Sequence, residues 1–145
     1  MSTHKRKVLI IEDDKDMANV IKYRIESFGG AHCDMVSDPY EALNLLSDFA
    51  YDIVLVDQKL PGMLGSNVLT QVDRFIDIDP TLSELNRFSY KIPVVLMSGS
   101  PIKLGSRYKL KHFSIQKILD KKTELASYLK HTFGEAKPYK IEATA

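Results

Sequence analysis

Residues 8–14 read VLIIEDD, four aliphatic side chains running straight into three acids. An apolar run this short, β-branched and free of polar alternation suits a strand covered on both faces, the usual condition of a parallel sheet. Carboxylates at its end repel one another and lose hydration, so Glu12, Asp13 and Asp14 need a positive partner.

The same unit recurs along the chain. From Asp16, the positions Met17, Val20, Ile21, Ile25 and Phe28 have the spacing of one helical face, stopped by Gly29 and Gly30. Residues 33–36, CDMV, follow as a second strand. Asp38 as N-cap, Pro39 in the first turn and Glu41 three residues after the cap then open a helix. Residues 52–57, DIVLVD, are a third strand that again closes on an acid, Asp57. Val68, Leu69, Val72, Phe75 and Ile76 mark the next helix, IPVVLMS (92–98) a fourth strand ending on Ser98, and FSIQK (113–117) a fifth. Leu125, Tyr128 and Leu129 lie on a last helix before Gly134. Five apolar strands alternating with helices predict an α/β domain, a doubly wound, five-stranded parallel sheet with helices on both faces. Ligands of such sheets sit beyond the carboxyl ends of the strands, where strand order reverses. Glu12, Asp13, Asp57, Ser98 and Lys117 would converge there.

Length and charge narrow the function. A chain of 145 residues fits one domain, expected over residues 7–133 with a short lead-in (1–6) and a loosely held tail (134–145). Twenty basic against nineteen acidic side chains leave a formal charge of +1, which gives no electrostatic case for nucleic acid. The basic start MSTHKRK precedes an apolar stretch far too short for a signal or membrane segment, so a cytoplasmic protein is expected. Cys33 has no partner for an internal disulfide and reads as a buried thiol. The histidines at 4, 32, 112 and 131 share no metal-binding spacing.

Three clustered carboxylates carry about three negative charges, of which one lysine offsets one. A divalent cation would neutralise the rest. With only oxygen ligands at hand the ion should be hard, Mg²⁺ first and Mn²⁺ next, and a Mg²⁺ site that keeps open positions suits phosphoryl chemistry. Ser98 and Lys117 could bind phosphoryl oxygens, and Asp57 could accept the group as an acyl phosphate. Asp14 and Asp16 are accounted for by the dipole of the helix they begin.

With these residues in place the chain resembles a response-regulator receiver domain of two-component signalling. VLIIEDD, DIVLVDQKLPGMLG (52–65), PVVLMSGS (93–100) and a lysine at the end of the fifth strand carry the resemblance, which extends from Lys7 to about Phe133. It implies a flavodoxin-like sheet of order 2-1-3-4-5, with Asp57 as phosphoacceptor. Asp13, Asp57 and the backbone carbonyl of Lys59 would hold Mg²⁺, and Glu12 would act mainly through water. Ser98 would be the switch hydroxyl and Lys117 the lysine that pairs first with the carboxylate and then with the phosphate. The implied partners are a histidine kinase or histidine phosphotransfer protein and a downstream protein not identified by the sequence, which leaves open whether the chain forms a dimer; neither nucleic acid nor membrane is implied.

The chain also departs from that pattern. Residues 77–91 supply an excess that is read as a long third helix or as a helix followed by an ordered loop. PIKLGSRYKLKH (101–112), interrupted by Pro101 and Gly105, leaves little room for a full fourth helix. Ser114 stands where an aromatic switch residue is usual, three before Lys117, and Ile118 stands where proline is usual. The side chain of Lys59 either leans over the phosphoryl group or points to solvent. Two other readings compete: a receiver-like binding module that is not phosphorylated, and a Mg²⁺-dependent phosphatase with an aspartate nucleophile. The phosphatase reading is weakened by Lys59, since enzymes of the haloacid dehalogenase type place an acid/base aspartate two residues after the nucleophile.

Overall fold

The structure, a computed structural model, describes residues 5–48, 51–78 and 91–134. Its elements in chain order are β1 (Arg6–Ile11), α1 (Lys15–Ser27), β2 (Ala31–Val36), α2 (Pro39–Asp48), β3 (Ile53–Asp57), β4 (Lys59–Leu60), β5 (Met63–Leu64), α3 (Gly65–Ile78), β6 (Ile92–Ser98), β7 (Phe113–Asp120) and α4 (Leu125–Leu129), the last continued by a π-helical turn (Lys130–Gly134). β1, β2, β3, β6 and β7 form one sheet in the order β2-β1-β3-β6-β7, with every pairing parallel. Counting only these strands, the order is 2-1-3-4-5, as the resemblance implied. β4 and β5 make a small antiparallel pair just after Asp57, turned by Gly62 at a φ of 75°.

The central strands are apolar because they are covered twice. In β1 and β3 alternate residues enter opposite cores: Leu9, Ile11, Val54 and Val56 pack toward α2 and α3, while Val8, Ile10, Ile53 and Leu55 pack toward α1 and the C-terminal helix. Asp14 caps α1, accepting from the amides of Asp16 and Met17, and Asp38 accepts from the Tyr40 amide at the start of α2. Two positions of the expected apolar stripes face outward. Ala18 takes the buried place on α1 and Val20 is 56% exposed, while Phe75 on α3 is 52% exposed.

The second half of the sheet differs from expectation in one respect. β7 runs three residues past Lys117, to Asp120, because a bulge interrupts its register: Val94 pairs with Ile115, but Val95 pairs with Lys117, leaving Gln116 as the extra residue. The segment Gly99–His112 carries no helix, in line with Pro101 and Gly105. It lies as a strap along the α3 side of the sheet, where Ile102, Leu104, Tyr108 and Leu110 pack on the core. Most of the 77–91 excess lies outside the described residues.

Candidate functional site

β1 and β3 are neighbours from which the chain departs in opposite directions, so their carboxyl ends open into a crevice. The acids at those ends meet in it. One carboxylate oxygen from each of Glu12, Asp13 and Asp57 lies within 4.8 Å of the others. Glu12 and Asp57 are almost wholly buried, at 1% and 4% exposure, and Asp13 is exposed at the rim.

The cation that joins them is Lys121. Its Nζ donates to Glu12 Oε1 at 2.9 Å and to Asp57 Oδ2 at 3.2 Å. This corrects the expectation for Lys117, which stands exposed at the bulge of β7, four residues short of the strand-end turn from which the crevice is reached. Lys121 is also fixed through its backbone, its amide donating to the carbonyl of Ser98 at 2.9 Å. Asp120 holds the turn beyond it, accepting from the Lys122 amide at 2.7 Å, and Glu124 accepts from the Asp120 amide at 2.8 Å. With the lysine at 121, the residue three before it is Ile118, 40% exposed, and the residue after it is Lys122.

Burial dominates the electrostatics of the pocket. It pushes the Glu12 carboxyl up to about 7, with the Lys121 bond pulling the other way and the Asp57 carboxylate adding to the rise. For Lys121 burial would favour the neutral amine, but the bonds and charges of Glu12 and Asp57 outweigh it and raise its pKa. Three carboxylates against one ammonium leave the pocket with excess negative charge that a hard divalent cation would offset, and the donor set, all oxygen, fits Mg²⁺.

Ser98 is buried at 3% exposure, and its Oγ accepts from the Ser100 amide at 3.1 Å. The Lys59 side chain is exposed, and its amide approaches Asp57 Oδ1 at 3.4 Å. Gln58, which the sequence did not single out, is buried next to Asp57. Its backbone carbonyl accepts from the Gly65 amide, its Oε1 from the Ser66 amide at 2.8 Å, and its Nε2 donates to Ser66 Oγ at 3.0 Å. Glycine is required at 65, because a Cβ there would run into the Asp57 carbonyl oxygen and Val56 Cγ2. The start of α3 is thus pressed against the backbone of Asp57.

A doubly wound parallel sheet with an acid cluster at the carboxyl ends of its strands is the architecture of receiver domains. Residues 8–79 match the family model described as the response regulator receiver domain, and the sheet built by the rest of the chain agrees with that match. The match ends before the strap and the displaced lysine. Across the whole sheet the chain is similar to a CheY-like receiver domain from Methylobacillus flagellatus (26% identity, TM-score 0.63, covering 86% of this chain and 92% of that one). It is also similar to the receiver domain of a Francisella response regulator (25% identity, TM-score 0.62, 88% and 93%). The fold extends to the receiver domain of a sensor histidine kinase from Pseudomonas aeruginosa, whose structure has a magnesium ion coordinated in the active-site cleft (21% identity, TM-score 0.59, 90% and 98%). Among the described residues no helix is long and apolar enough to cross a membrane.

Proposed function

We propose that the chain is a phosphoacceptor switch: Asp57 takes a phosphoryl group from a histidine kinase or histidine phosphotransfer protein, and the phosphorylated form favours a different set of protein contacts. The observation that carries this reading is the convergence of Glu12, Asp13 and Asp57 on one point with Lys121 bonded to two of them. In the transfer, a carboxylate oxygen of Asp57 attacks phosphorus; the P–O bond forms as the P–N bond to the donor imidazole breaks, and the leaving ring nitrogen takes its proton from solvent. Asp13, Asp57 and the Lys59 carbonyl would hold Mg²⁺, with Glu12 behind them, and the bound ion would supply charge neutralisation at the phosphoryl oxygens.

The chain's own groups do the rest. Burial of Asp57 keeps its attack geometry fixed and limits water around it. Lys121 holds the carboxylate before transfer and is placed to move its ammonium onto a phosphoryl oxygen afterwards. Ser98 is the hydroxyl that would donate to a second such oxygen, so that phosphorylation draws on the start of the strap that follows. Slow hydrolysis of the acyl phosphate would reset the switch.

The test is intact-protein mass after incubation with acetyl phosphate and Mg²⁺. A phosphoryl adduct is expected in the wild-type protein and in neither Asp57→Asn nor an EDTA-treated sample. One observation favours the reading of an unphosphorylated binding module: the strap in place of a fourth helix, together with Ile118 where the family has an aromatic residue. Absence of any adduct, with transfer from a kinase also negative, would establish that module instead.

A further inference from the structure

The strap between β6 and β7 is tied at its start, middle and end, the end also by Lys91 Nζ donating to the Leu110 carbonyl at 2.8 Å, and two of these ties lead back to Asp57. At its start the Ser100 amide donates to Ser98 Oγ. In its middle the Tyr108 hydroxyl donates to the backbone carbonyl of Ser66 at 2.7 Å. At its end the amides of Lys111 and His112 both donate to the Asp73 carboxylate of α3 at 2.8 Å. Ser66 is the residue that Gln58 grips with both ends of its amide, so a short chain of hydrogen bonds, buried at Gln58 and Ser66 and half-buried at Tyr108, runs from the residue beside Asp57, through the start of α3, to the middle of the strap. Burial raises the Tyr108 pKa, so the phenol stays a donor across the physiological range.

We propose that Tyr108 is a latch: its bond to Ser66 holds the strap in the unphosphorylated seating, and phosphoryl loading at Asp57 releases it. This rests on the receiver reading above. A phosphoryl group that takes the Ser98 hydroxyl turns Oγ away from the Ser100 amide and frees the first tie. The middle of the strap then keeps the phenol's bond and the apolar contacts of Ile102, Leu104 and Tyr108, while Lys91 and Asp73 keep its end fixed. Loss of the phenol's bond gives a loose form, minor in the free protein, that loading favours. By linkage, anything that weakens the Tyr108 tie in the free protein must tighten binding of the phosphoryl mimic, by up to the same factor.

Tyr108→Phe isolates this effect, because the Ser66 carbonyl keeps the bond from Thr70 Oγ1 at 3.0 Å and is not left without a partner. Beryllofluoride with Mg²⁺ serves as the phosphoryl mimic, read by calorimetric affinity and by amide hydrogen exchange. In the wild-type protein, loading is expected to speed exchange over 102–109 and leave 111–112 unchanged. Tyr108→Phe should show fast strap exchange already in the free protein and bind beryllofluoride about three- to tenfold more tightly, the range one neutral hydrogen bond allows. Tyr51→Phe, which removes another buried phenol's bond, to Asp34 far from the crevice, should leave the affinity unchanged. If the wild-type protein does not bind the mimic, the receiver reading fails and the latch with it. If it binds while strap exchange stays constant, or if Tyr108→Phe binds equally or more weakly, the latch alone is overturned.

Discussion

A lysine can be judged by what it touches. Lys121 bonds two nearly buried carboxylates, whereas Lys117 stands exposed on a strand. Lys121→Met keeps most of the stem but leaves Glu12 and Asp57 without their cation, so it should lower stability by about 1–3 kcal/mol at pH 8 in urea denaturation. Lys117→Met should stay within about 0.5 kcal/mol, as surface changes do. Glu12 supplies a pH dependence whose sign follows from its raised pKa. The folded protein holds its proton to about pH 7, and the unfolded chain releases it near the usual 4.5. Its contribution is therefore fully present below pH 4.5 and lost as pH rises through 7, on the order of 1–3 kcal/mol. Thermal unfolding in EDTA should show Tm falling across that window. Glu12→Gln should flatten the fall, and Mg²⁺ should restore the wild-type Tm at pH 8.

At the scale of the element, the lysine was misassigned from the sequence because a β-bulge leaves no mark in hydrophobic pattern. Phe113–Lys117 looks complete, with a cation closing a short run, and the inserted Gln116 puts three consecutive exposed residues into what is one continuous strand. β7 is also the edge of the sheet, where a lysine at a bulge discourages pairing with a second chain. That gives Lys117 a structural reason for being where it is. By contrast, the lack of a helix between β6 and β7 was legible, since Pro101 and Gly105 break any helical run. The sequence did not show what lies there instead, because the ties from Tyr108 to Ser66 and from the strap's end to Asp73 join residues about forty positions apart. The seat of α3 makes a prediction of its own. Gly65→Ala forces α3 away from the Asp57 carbonyl and should destabilise the fold by about 1–3 kcal/mol while weakening Mg²⁺ binding, measured by denaturation and calorimetry on the same sample.

Over the whole molecule, the sheet was readable because its strands are too apolar to face water and because each strand–helix unit is bounded by its own caps and glycines. The acids were readable for the opposite reason: carboxylates that end buried strands violate the pattern around them, and such violations mark places where something binds. What pattern could not reach were the connections across the sheet, namely Gln58 gripping Ser66, Lys121 reaching over from the edge, and the strap lying where a helix is usual. The first half of the chain thus matches the receiver family model, while the second half completes the pocket with Lys121 and carries the strap. On the proposed function, the protein forms an acyl phosphate on Asp57. Borohydride reduction of the protein after incubation with acetyl phosphate and Mg²⁺, followed by peptide mass mapping, tests it directly. Homoserine is expected at position 57 and nowhere else, and none when Mg²⁺ is withheld; an unreduced aspartate at 57, or homoserine at another acid, would overturn Asp57 as the phosphoacceptor.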